Sequence, residues 1–111
     1  MDECLCTDEF LRVTVVVVDT LMDALDSVSV QTINKKTNEP LQVNQEQISI
    51  AGTYVVIDDS HIGELSPIPA FFIFKGQKGR LSFRSDFVLY RDECGCHVHK
   101  FAGPDTIVAR L

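Results

Sequence analysis

The chain has 111 residues, 45% of them hydrophobic, and a net charge of −6 from 16 acidic and 10 basic residues. That size and composition suit one domain with a core of its own and argue against disorder. Lys35–Lys36 is the one adjacent basic pair, so a nucleic-acid partner, which needs a positive surface, is disfavoured. No apolar run approaches the roughly 18 residues of a membrane span.

Residues 1–8 read as an N-terminal segment carrying Cys4 and Cys6, and residues 9–111 as a single domain. Phe10 to Val18 is β-branched almost throughout and is expected to be a strand buried on much of both faces. Leu21 to Leu25 is too short for a helix and reads as a loop or turn. Ser27 to Ile33 alternates, with Val28 and Val30 facing one way and Ser29 and Gln31 the other, as in a half-buried strand. Asn34 to Pro40 reads as a hairpin tip, with a return strand starting at Leu41.

Gly52 to Ile57 is a further strand, stopped by Asp58-Asp59-Ser60, and residues 60 to 69 form a loop with Gly63, Pro67 and Pro69. Ala70 to Phe74 is a strong strand. Gly76 to Gly79 is expected to turn the chain into Arg80 to Arg84. Phe87 to Tyr90, Cys96 to Phe101 and Thr106 to Leu111 complete seven or eight short strands with almost no helix. The pattern predicts an all-β chain folded as a β-sandwich or small barrel. Its expected core is Val13, Val15, Val17, Val28, Val30, Tyr54, Val56, Phe72, Phe74, Leu81, Phe83, Phe87, Leu89 and Ile107. Phe71 and Phe72 are consecutive and must face opposite sides, so an exposed one would offer a contact surface.

Four cysteines fall in two Cys-x-Cys pairs, Cys4/Cys6 and Cys94/Cys96. On a strand, residues i and i+2 share a face, so the pairs can meet, whereas bonding within a pair strains the usual disulfide geometry. Antiparallel neighbours would join Cys4 to Cys96 and Cys6 to Cys94; parallel neighbours would join Cys4 to Cys94 and Cys6 to Cys96. Metal is the rival reading, because Cys94, Cys96, His97 and His99 form a dense run of zinc or copper ligands. On one continuous strand, however, the sulfurs would face away from His97 and His99. Disulfides are the strongest expectation, with no cofactor, ahead of the metal reading and of free thiols.

Asp58-Asp59-Ser60-His61 reads as strand-ending turn chemistry rather than a calcium loop. Nothing resembling Gly-x-Ser-x-Gly appears, and Cys96 and His97 would point apart on a strand. A hydrolase would need a pocket joining His61 or His97 to a nucleophile, so the chain is not expected to be an enzyme.

Val28-Ser29-Val30, then Gly52 to Asp59, then paired strands, is similar to the carboxypeptidase regulatory-like domains. The tail from Cys94 to Pro104 resembles the end of small secreted or lipoprotein members from Gram-negative bacteria, where a Cys-His-Val run precedes a short last strand. Asn44-Gln45-Glu46-Gln47 stands where that family usually has Thr-Asp-x-x-Gly. The resemblance implies a transthyretin-like (Ig-like) β-sandwich of about seven strands and no shared catalytic residues. It also implies an accessory role: structural, or binding a protein or glycan partner. The expected location is extracytoplasmic, in the periplasm, on the outer membrane as a lipoprotein, or secreted, with membrane attachment through a lipid anchor at most.

Overall fold

The computed structural model describes residues 4–111, so the first three residues of the predicted 1–8 segment lie outside it. Eight strands are present among the described residues: β1 (Arg12–Val18), β2 (Ser29–Asn34), β3 (Glu39–Leu41), β4 (Thr53–Asp58), β5 (Ala70–Lys78), β6 (Leu81–Arg91), β7 (Val98–Ala102) and β8 (Thr106–Val108). A 3₁₀ turn over Asp59–Glu64 is the one helical element described. The strands form a three-stranded sheet in the order β4-β1-β8 and a five-stranded sheet in the order β3-β2-β5-β6-β7. The all-β chain expected from the alternation is therefore present, and of the sandwich and small barrel that it allowed, the strands form two sheets.

The sheets enclose one core. Val13, Val15 and Val17 from β1 and Tyr54, Val56 and Ile57 from β4 meet Phe72 and Phe74 from β5 and Phe83, Phe87 and Leu89 from β6. Every predicted core residue is in this cluster or packed against it, Val30 and Leu81 being partly buried. Val56 and Ile57 are adjacent yet both reach the core because the β1–β4 register shifts between Val13 and Thr14. That β-bulge places one extra β4 residue on the inner face. Buried Thr32 donates from Oγ1 to the Val56 carbonyl at 2.6 Å, a polar tie between the two sheets.

Several boundaries differ from expectation: the return strand β3 begins at Glu39 rather than Leu41, because Glu39 and Pro40 already pair with Asn34 and Ile33. The chain does not turn at Gly76: β5 runs on to Lys78 and the turn lies at Gly79–Arg80. A Cβ on Gly76 would stand 2.4 Å from the Phe83 ring, so this glycine makes room for an aromatic residue on the paired strand. The two predicted strands at 80–84 and 87–90 are one continuous β6, because Ser85 and Asp86 keep their pairing with Phe74 and Ile73.

Candidate functional site

The chemistry-bearing residues gather where the N-terminal segment meets the turn before β7. Asp92 builds that turn. Its carboxylate accepts the Cys96 N–H at 2.7 Å and the His97 N–H at 3.1 Å, and its carbonyl accepts the Gly95 N–H. Gly95 has φ +70°, a conformation that favours glycine. The Cys96 N–H bond, opposed by partial burial and helped by the His97 N–H, holds the Asp92 carboxyl below its ordinary pKa. Cys94 and Cys96 are therefore presented by a turn, not by the strand predicted over 96–101, which starts at Val98.

The N-terminal segment lies beside this turn in a parallel offset. Disulfides join Cys4 to Cys94 and Cys6 to Cys96, each with a Cα separation of 5.3 Å. Of the pairings that the sequence left open, this is the parallel one. A third contact keeps the same offset of 90 residues: Thr7 Oγ1 lies 2.8 Å from His97 Nε2. Two covalent rungs and one hydrogen-bonded rung thus fasten residues 4–7.

Asp59 extends the third rung inward. Its Oδ2 lies 2.6 Å from His97 Nδ1 and accepts the Leu11 N–H at 2.8 Å, while its Oδ1 accepts the Val98 N–H at 2.8 Å. One carboxylate thereby ties the residue before β1, the first residue of β7 and the N-terminal segment together. Burial pulls the Asp59 pKa upward, but the Leu11 N–H, the His97 ring and the Val98 N–H together bring it below the ordinary value. The hydrogen bond to Asp59 raises the His97 pKa against partial burial, with the charges of Asp59, Asp92 and Glu9 adding to the rise.

Thr7, His97 and Asp59 have the hydroxyl–imidazole–carboxylate connectivity that activates a nucleophile in acyl-transfer enzymes. Such a hydroxyl also needs a substrate cleft with oxyanion donors beside it. A surface depression beside the Asp59 tie is lined by Leu11, Val98 and His99, and neither Thr7 nor His97 is in its lining. Each group in the chain satisfies the next.

Each member of the rival metal set, Cys94, Cys96, His97 and His99, has another partner in this structure. Both sulfurs are bonded to sulfur and present no thiolate. His97 turns to Asp59, and His99 stacks on Tyr90 with ring centroids 5.3 Å apart. Among the described residues no group of three or more His, Cys, Asp or Glu side chains converges on a common point.

The Asp58–His61 stretch splits into separate tasks. Buried Asp58 caps the 3₁₀ turn by accepting the Ser60 N–H at 2.9 Å, and it accepts a bond from Gln47 Nε2 at 2.7 Å. Burial raises its pKa, but the bonds from Ser60 and Gln47 outweigh that and hold it low. His61 contacts the Gln42 carbonyl at 2.8 Å. The turn-forming reading of this stretch accounts for Asp58. It missed Asp59, whose partners come from two distant points of the chain, Leu11 and His97–Val98, and it missed Thr7, which no motif marks; the equal spacing of Cys4/Cys94 and Cys6/Cys96 was the available signal.

Of the consecutive phenylalanines, Phe72 is fully buried and Phe71 is 56% exposed on the outer face of the five-stranded sheet. Compared with known proteins, the chain matched no protein-family model, no curated protein and no solved structure.

Proposed function

We propose that this chain is a non-enzymatic extracytoplasmic module with a structural or partner-binding role, of the transthyretin-like type found in carboxypeptidase regulatory-like domains. The observation that carries the reading is the use made of the cysteines. All four are joined in cross-linked pairs that fasten the N-terminal segment to the turn before β7. Structural disulfides persist in oxidising compartments and are rare in the cytosol. No helix among the described residues is long and apolar enough to cross a membrane. The two-sheet, eight-strand framework supports the resemblance at the level of architecture. The Thr7–His97–Asp59 chain is part of the fastening.

The experiment is a free-thiol count by mass spectrometry, with elemental analysis for zinc and copper, on protein exported to an oxidising compartment. The expected result is no free thiol and no stoichiometric metal. Stoichiometric metal that disappears in Cys96→Ser would overturn the proposal and establish the zinc or copper reading.

A further inference from the structure

The strand register assembles a distinct surface on the outer face of the five-stranded sheet. Gln31 on β2, Lys75 on β5 and Arg84 on β6 form one row. The next row is Ile33, Ile73 and Asp86. Phe71 and Val88 follow, with the Lys35 N–H bonded to the Phe71 carbonyl. Among the described residues Asp86 is the one acid in these rows. The face is thus locally basic on a chain of net charge −6.

The surface has two depressions. One, of about 460 Å³, is lined by Gln31, Lys75, Gln77, Ser82 and Arg84 with their neighbours. The other, of about 320 Å³, is lined by Lys35, Lys36, Ala70 and Phe71. Each holds two cationic side chains. They are four residues apart along β5, about 14 Å at about 3.4 Å per residue. Between them lies Ile73, which is buried although it does not belong to the core cluster. Its neighbours across the strands, Ile33 and Asp86, flank it on this face.

We propose that this face binds an extended, acidic segment of a partner protein, with carboxylates at the two basic depressions and an apolar side chain between them. The proposal rests on the reading of the chain as a binding module and names its partner. In an extended segment residues i, i+2 and i+4 share one face. An acidic–apolar–acidic series at those positions therefore has the same spacing as the face. Stacked sugars would need open aromatic planes. Here the Lys35 ammonium sits 5.5 Å over the Phe71 ring, and His99 stacks on Tyr90. The exposed Phe101 stands on β7, outside both depressions, and the row between them holds Ile33, Ile73 and Asp86 with no aromatic plane, which favours a peptide over a glycan.

The test is an NMR titration of the full chain with the blocked peptide Glu-Thr-Val-Thr-Glu, its Gln-for-Glu analogue, and polygalacturonate as an anionic glycan. The expected result is that the acidic peptide shifts amides of Phe71, Lys75, Arg84 and Val88, and binds at least tenfold more tightly than the Gln analogue. The double variant Lys75→Glu/Arg84→Glu should weaken it at least tenfold, whereas Arg12→Glu on the other sheet should not, and dispersed amide spectra confirm that both variants fold. Added salt should weaken the interaction, because exposed charges are screened. Binding elsewhere, or equal binding of the Gln analogue, overturns the proposal. Binding of polygalacturonate at this face with no peptide binding overturns the peptide assignment and leaves the binding-module reading standing. Binding of neither probe overturns the proposal, while the thiol and metal count tests the underlying reading separately.

Discussion

Thr32 is a polar residue in an apolar core, held because its hydroxyl satisfies the carbonyl of the bulged Val56. Thr32→Val keeps the shape but strands that carbonyl, and a buried unsatisfied acceptor costs about 1–3 kcal/mol. A lower urea midpoint with an unchanged slope is the expected measurement. His97 and Asp59 act through pH. The His97 pKa is raised in the fold, so its contribution is fully present below about 6.5 and is lost as pH rises through the folded value. Asp59 is lowered, so its contribution is present above about 3.9 and is lost as pH falls through its folded value. Stability should therefore be greatest between these limits. His97→Gln should flatten the alkaline decline and shrink the acid limb without abolishing it, because Asp59 and Asp92 lose a favourable partner in His97 while the N–H bonds to both and the partners of Asp58 remain. Urea midpoints across pH would show this, and an unchanged alkaline limb would refute it.

Among the elements, β5 and β6 show how a residue's partner overrides its local preference. A glycine near a second glycine reads as a turn, yet Gly76 sits inside β5 beneath the Phe83 ring. Gly76→Ala is expected to cost about 1–3 kcal/mol by overpacking. Gly76→Ala with Phe83→Leu should be less destabilised than the sum of the single variants, which a double-mutant cycle measures. Strand β4 is an edge of its sheet, and Gln45 covers it: Nε2 donates to the Val55 carbonyl and Oε1 accepts the Val55 N–H, both at 2.7 Å. A side-chain amide here stands in for a neighbouring strand and blunts an edge that would otherwise invite pairing. Strand positions were legible from alternation because side-chain direction is local with period two. The length of β6 and the placement of Gly76 were not, because both depend on the strand across the ladder.

For the whole molecule, the decisive feature is how the N-terminal segment is held. Each disulfide spans 90 residues, so closing that loop once restricts the unfolded chain by about 4–5 kcal/mol. The second bridge closes almost the same loop and adds much less. Replacing Cys4 and Cys94 by Ser, or Cys6 and Cys96 by Ser, should each cost far less than replacing all four, as read from urea unfolding. A full loss from either pair alone would show that the bridges are not redundant. The sequence by itself determined the all-β class and most of the core, which follow from local alternation, and it made the meeting of the two cysteine pairs the stronger expectation, which follows from the reach of paired sulfurs. The tertiary structure decided the parallel pairing, the recruitment of Thr7 and Asp59 to His97, and the division into sheets of three and five strands. Those depend on how the chain returns across some 40 to 90 residues, and no local preference encodes that path.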